Sequence, residues 1–298
     1  MVNTRISEKQ PYPSKFIEVC GSKMHYVEAG QGDAILFLHG VPTSCYLWRN
    51  IIPYLESLGH CIAPDLIGFG YSDKPNITYS VFDHIKYLET LIETLDLKNI
   101  TFIMHGWGSV IGLDYAMRHE QNCKGLVFYE AFLRTLNGND ISLPLQEQLL
   151  ALQNIENLSE LVMNGSAFVD KIIPQHVMRQ LTEEEMQNYR KPFMQEGAGK
   201  PILQYFKELP KGDGKSKIDK LIADYSNKLS RSPLPKLMLY SVPGFITTIA
   251  SIMWAKDHLP NLEIVDIGEE LHLAQESNPR LIGETISAWL QGIEHVKV

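Results

Sequence analysis

Alternation between short apolar runs and amphipathic stretches restricts the fold of this chain more than any other feature. "AILFLHG" (34–40), "HCIAPDL" (60–66) and "NITFIMHG" (99–106) each end in turn residues, as strands buried on both faces do. Between and after them, "SCYLWRNIIPYLESLG" (44–59), "FDHIKYLETLIETLDL" (82–97) and "SVIGLDYAMRHE" (109–120) carry apolar residues at helical spacing. "KGLVFYEAF" (124–132) then reads as another strand, and "FIEVCGSKMHYVEAG" (16–30) as an antiparallel pair turning at Gly21. Repeated β-α-β order implies a mostly parallel, doubly wound sheet with right-handed crossovers.

That rhythm stops after residue 132. "PLQEQLLALQNIENLSELVMNG" (144–165), "EEEMQNYRKPFMQEG" (183–197) and "KIDKLIADYSNKLS" (217–230) are helical patterns with no clear strand between them. The alternation resumes with "PKLMLYSV" (235–242), "ITTIASIMWAKDHL" (246–259), "LEIVDIG" (262–268) and "PRLIGETISAWLQGIEHV" (279–296). The expected organisation is an α/β core over 1–132 and 231–298, interrupted by an all-helical cap over 133–230. An insertion between two strands of such a sheet sits over their carboxyl ends, where open α/β sheets bind ligands.

Bulk properties remove several partner classes. A net charge of −8 leaves no basic excess for nucleic acid or an anionic membrane surface. Cys20, Cys45, Cys61 and Cys123 show neither CxxC nor metal-ligand spacing, which suits reduced thiols and a cytoplasmic setting. No apolar run approaches the roughly 18 residues of a membrane span, and the N-terminal stretch lacks the apolar region of a signal peptide. His60, His84, His105, His119, His176 and His258 have no pairing at metal spacing and are assigned structural roles. No metal and no cofactor is expected.

Three segments carry chemistry. "HGWGS" (105–109) joins a strand to a helix through small residues, the setting of a nucleophile elbow, yet Gly106 at its tip has no side chain to attack with. "FLHGVPTS" (37–44) runs from a strand into the turn that, beside such an elbow, offers a backbone N–H to an oxyanion. "IGEELHLAQESNP" (267–279) sets His272 just after the last strand, where a catalytic base would stand.

On "HGVPTSCYLWRN", "CIAPDLIGFGYSDKP", "FDHIKYL", "HGWGS" and "LHLAQESNP" together, the whole chain resembles the haloalkane dehalogenases of the α/β-hydrolase superfamily. Coelenterazine-type luciferases share that scaffold. The resemblance implies an α/β-hydrolase fold, a helical cap, and a two-step reaction. An elbow Asp displaces halide to form an alkyl ester, which a His-activated water cleaves. Position by position, the base is His272, its acidic partner is Glu130, and the nucleophile position is Gly106. Of the two halide-binding groups, the indole is Trp107, while the Asn that usually follows the HG turn is replaced by Val41. Phe132, Leu145, Leu149, Phe168, Ile246 and Leu273 lie in segments that line the family's pocket. The acid's other location in the family, near "SVPGFITT" (241–248), holds no carboxylate.

The chain departs from the pattern twice, at Gly106 and Val41. Without a carboxylate at 106 no ester forms, so dehalogenation should be lost. Glycine also adopts the strained elbow backbone freely, relieving about 1–3 kcal/mol. Two departures in one cavity, with every surrounding motif kept, suggest an engineered active site. A His272–Glu130 base would remain, titrating near or below neutrality, within an apolar cavity suited to a small apolar or halogenated organic molecule. Three readings stay open: a variant repurposed for proton transfer, an inactive form that only binds substrate, and a cofactor-free luciferase-like oxygenase. The protein is expected to be a monomer or weak homodimer.

Overall fold

Eight strands, among the residues described by the computed structural model (6–135, 162–163, 165–195, 197–210 and 212–295), form one sheet. They are β1 (Lys15–Val19), β2 (Ser22–Ala29), β3 (Ala34–Leu38), β4 (His60–Pro64), β5 (Ile100–Gly106), β6 (Cys123–Ala131), β7 (Lys236–Tyr240) and β8 (Leu262–Asp266). The spatial order is β1-β2-β4-β3-β5-β6-β7-β8. β1 and β2 pair antiparallel, as do β2 and β4, and every other pairing is parallel. β3 and β5 are buried at every position, which suits parallel strands covered on both faces.

β4 and β5 flank β3 on opposite sides, so the chain order reverses at the β3/β5 pair. Such a switch point opens a crevice beyond the carboxyl ends of the strands, and here the HG turn after β3 lies beside the HGW turn after β5. Helix α1 (Val81–Thr94) opens with a capping box in which Ser80 and Asp83 bond each other's backbone. Helix α2 (Trp107–Arg118) follows β5 directly.

Between β6 and β7 every described regular element is helical: α3 (Gly165–Ile172), α4 (Glu183–Arg190), α5 (Lys200–Lys207) and α6 (Lys217–Leu229), with short 3-10 turns. The pattern predicted over 144–165 lies almost wholly outside the described residues, while α3 and α5 were not predicted. α7 (Ile249–His258), α8 (Ala274–Ser277) and α9 (Pro279–His295) complete the chain.

One predicted helix is absent. Residues 44–59 form two 3-10 turns, Cys45–Trp48 and Ile52–Tyr54, rather than one α-helix. Pro53 supplies no N–H for the bond back to Arg49, so the period seen in sequence cannot propagate through it. Instead Arg49 is buried and its guanidinium reaches both Glu276 Oε2 at 2.8 Å and Glu185 Oε1 at 3.0 Å. Arg179 bonds the same two carboxylates, at 3.0 Å to Glu276 Oε2 and 2.7 Å to Glu185 Oε2. This network ties α4 to α8, which follows His272 by two residues. Removing Arg49 leaves the buried Glu185 and Glu276 carboxylates sharing Arg179 alone, so Arg49→Met should cost about 3 kcal/mol, read from the chemical-denaturation midpoint.

Candidate active site

Gly106 ends β5 with φ 52° and ψ −128°, a backbone that L side chains rarely adopt. A Cβ built there would lie 3.4 Å from Gly40 Cα and 3.6 Å from both Cε1 and Nε2 of His272. The position therefore has room for a side chain and faces the imidazole, but at the cost of backbone strain. Ser109 braces the turn by donating to the Gly106 carbonyl at 2.6 Å and accepting from the Phe132 N–H at 3.0 Å. Gly108 is required by contact: a Cβ there would meet the Leu38 carbonyl oxygen at 2.4 Å.

Glu130 is placed by an irregularity in the sheet. The β5/β6 ladder pairs His105 with Tyr129 but Gly106 with Ala131, so Glu130 is the extra residue of a bulge, with φ 53°. Its carboxylate accepts the N–H groups of Phe245 at 2.9 Å, Ile246 at 2.6 Å and Thr247 at 3.2 Å. Thus the loop that holds no carboxylate of its own cradles the one from β6. The Glu130 Oε2 atom also lies 3.0 Å from His272 Nδ1. Burial raises the Glu130 pKa above the ordinary range, and the three backbone N–H donors oppose that by favouring the carboxylate form.

This arrangement sets the imidazole tautomer. Nδ1 carries the proton and donates to Glu130, leaving Nε2 as an acceptor on the side of Gly106. Burial lowers the pKa of His272 to about 3, further than the sequence expectation of near or below neutrality, so the ring is neutral at physiological pH. His105 packs behind His272, its Nε2 lying 2.8 Å from the His272 carbonyl and its ring centroid 4.4 Å from the imidazole. Behind the neighbouring turn, His39 Nδ1 bonds the Gly40 carbonyl at 2.8 Å and Nε2 accepts the Leu66 N–H at 3.0 Å.

Val41, Gly106, Trp107, Phe132, Phe168, Ile246, His272 and Leu273 line one cavity. Leu145 and Leu149 fall outside the described residues. Glu130 is not among the residues that line the cavity and lies behind His272. Trp107 packs against Phe132 at 5.1 Å and Tyr205 at 4.8 Å between ring centroids, and its indole N–H has no hydrogen-bond partner among the described residues. No acidic or basic side chain other than the histidines lines the cavity among the described residues.

Sequence reasoning missed much of the opposite wall, which includes Ile172, Ile173, His176, Ile202, Tyr205 and Phe206. The apolar spacing of α5 held a signal for Ile202 and Tyr205, but not for the side of the helix that meets a ligand space. His176 corrects the structural role assigned to it. It lines the cavity, with its ring centroid 5.5 Å from that of His272 and 4.4 Å from that of Phe245. His25, Cys45 and Asp65, too far apart in sequence to show metal-ligand spacing, place their ligand atoms within 4.8 Å of one another. Those atoms are already engaged, since Asp65 accepts from His25 Nδ1 and from the Cys45 and Tyr71 N–H groups, each at 2.7 Å. The trio fastens β2 and β4 to the turn after β3.

Residues 33–168 match the alpha/beta hydrolase fold family. A haloalkane dehalogenase of Sphingobium indicum is 38% identical over 284 residues, covering 93% of this chain and 95% of that protein. A haloalkane dehalogenase of Mesorhizobium japonicum is 35% identical, covering 92% and 90% respectively. Among solved structures, the haloalkane dehalogenase DbeA of Bradyrhizobium elkani superposes with a TM-score of 0.90 at 32% identity, covering 95% of this chain and 99% of that one. DatA of Agrobacterium tumefaciens gives 0.88 at 32% identity, covering 96% and 98%.

Proposed function

As this chain belongs to the haloalkane dehalogenase family of α/β hydrolases, we propose that it is a member whose nucleophile position, Gly106, is vacated, and that a general base remains. Dehalogenation is lost, and His272, oriented by Glu130, accepts a proton from a small apolar molecule in the cavity. One observation carries this reading: His272 Nε2 faces the empty side-chain position at Gly106 while Nδ1 is held 3.0 Å from Glu130. The two substitutions share one cavity inside an otherwise intact set of motifs, which we read as an engineered exchange of chemistry.

Both halves of the family reaction depend on groups that can be followed separately. The first half needs an anionic oxygen at 106, and glycine supplies none. The second needs a base that takes a proton from water, and a neutral imidazole with a fixed tautomer supplies it. What survives is proton abstraction without a covalent intermediate. Val41 lines the cavity in place of a side-chain donor and favours apolar substrates. Cytoplasmic residence, a monomeric or weakly dimeric state, and cap boundaries at 133–230 belong to the same proposal. Among the described residues no helix is long and apolar enough to cross a membrane.

Ring opening of a nitrobenzisoxazole tests this base, because the reaction needs one positioned base and no nucleophile. General-base catalysis contributes about 10²- to 10⁴-fold, so His272→Ala should lower the rate at least about tenfold and Glu130→Gln should lower it less. With the imidazole pKa at about 3, the rate should stay flat between pH 6 and 9 rather than follow a titration near 6.5. An unchanged rate in His272→Ala would show the pair to be inert and leave a protein that only binds.

A further inference from the structure

The side-chain position missing at Gly106 is a small bounded space, open to the cavity on one side. Gly40 backbone closes it at 3.4 Å and the His272 ring at 3.6 Å, measured from where a Cβ would stand. Trp107 and His272 border the same cavity and are each only 7% exposed. The Trp107 indole N–H, a donor, has no hydrogen-bond partner among the described residues. Helix α2 starts at Trp107 with no side-chain cap, so its first N–H groups and the positive end of its dipole are left for an anion. Glu130 lies behind the imidazole and is occupied by three backbone N–H groups.

We propose that this chain binds a small free carboxylate, formate or acetate, in the space at Gly106, and that the bound carboxylate displaces halide from a haloalkane in the cavity. This rests on the reading of 106 as the nucleophile position. One carboxylate oxygen forms a bond to the carbon bearing halogen, and the carbon–halogen bond breaks with its electron pair going to the halide. The product is a neutral alkyl ester that is not tethered to the protein and leaves the cavity. No proton moves and nothing is oxidised. Because the nucleophile is no longer part of the chain, the entropic advantage of a tethered group is given up, and the reaction depends on carboxylate concentration.

The test uses the unaltered protein with 1-bromohexane in carboxylate-free buffer at constant ionic strength, with formate, acetate or pivalate added up to 200 mM. Bromide and hexyl ester are measured together, against the same mixtures without protein. Formate and acetate should give bromide and ester in equal amounts, saturating with concentration and at least tenfold above the protein-free rate. Pivalate, too bulky for a space sized for one side chain, should give none. Gly106→Ala, which occupies the space, should abolish the acetate response, and Trp107→Phe should weaken it. Should Gly106→Ala fail to fold, the comparison of acetate with pivalate on the unaltered chain still decides. A response that is linear and equal to the protein-free rate, or pivalate matching acetate, overturns the proposal. Acetate inert while Gly106→Asp/Val41→Asn releases bromide overturns this inference alone. If that variant is inert as well, the reading of position 106 falls with it.

Discussion

Gly106→Asp/Val41→Asn should release bromide from 1-bromohexane at least about a thousandfold faster than the chain as it stands, when both are assayed without added carboxylate. The geometry for the restored reaction is in place. A Cβ at 106 meets Gly40 Cα and the His272 ring at 3.4–3.6 Å, ordinary contact distances, and the uncapped start of α2 favours a carboxylate. In the proposed reaction His272, which lies 3.0 Å from Glu130, activates the water that opens the ester. Val41→Asn alone should release nothing, and Gly106→Asp alone should be slower than the double variant because the leaving halide lacks one donor. The gain has a stability cost: φ at 106 is 52°, so any side chain there is strained by about 1–3 kcal/mol, and the variant should melt at lower temperature. Halide release by the present chain at a rate comparable to the variant's would contradict the assignment of position 106.

Acid should unfold this protein steeply, and histidines are the cause. His39, His84, His105, His176 and His272 are buried, and burial lowers the pKa of every one of them, to about 3 for His84, His176 and His272. An unfolded histidine titrates near 6.5, so between that value and the folded one the unfolded chain binds more protons. The stabilisation is complete above about pH 6.5 and is lost as pH falls, by about 1.4 kcal/mol per pH unit for each fully coupled group. Glu130 and Glu270 work the other way, because burial raises their pKa values, but they are two groups against five histidines. Three groups at about 3 alone would remove about 4 kcal/mol per pH unit below pH 5.5, against the 5–15 kcal/mol that holds a typical protein folded. Urea midpoints should be level from pH 7.5 to 8.5 and collapse between pH 6 and 4.5. His84 has no hydrogen bond on either nitrogen and stacks on Tyr205 at 5.1 Å, so His84→Phe should flatten the acid limb by about one proton's slope. Equal stability at pH 7.5 and 5 would contradict this account.

Local physics made much of this molecule legible from its sequence. β3, β5 and β6 are apolar without alternation because helices cover both faces of a parallel sheet, and that requirement is written in consecutive residues. The HGW turn and the placing of His272 after β8 depend only on chain order. Glu130 was reached by resemblance and by the absence of an acid in 241–248, but the bulge that aims it was invisible, since a register shift belongs to two strands at once. The region around Arg49 failed for a similar reason: its apolar spacing mimics an α-helix, and Pro53 together with a buried ion network decides otherwise. The far wall of the cavity was the least legible. Ile172, Ile173 and Tyr205 are apolar or aromatic residues on helices, and whether such a residue faces core or cavity is set by packing between elements. The low pKa of His272 likewise comes from its surroundings in three dimensions.

The central claim is that residue 106 occupies the nucleophile position, and a trapped intermediate tests it without relying on rates. In Gly106→Asp/Val41→Asn/His272→Ala the ester can form but lacks the base that hydrolyses it. After exposure to 1-bromohexane, intact-mass spectrometry with peptide mapping should find one hexyl group per chain, attached at position 106. The chain as it stands should carry none. A hexyl group mapped to any other residue, or stoichiometric bromide release with no adduct at 106, would contradict the account.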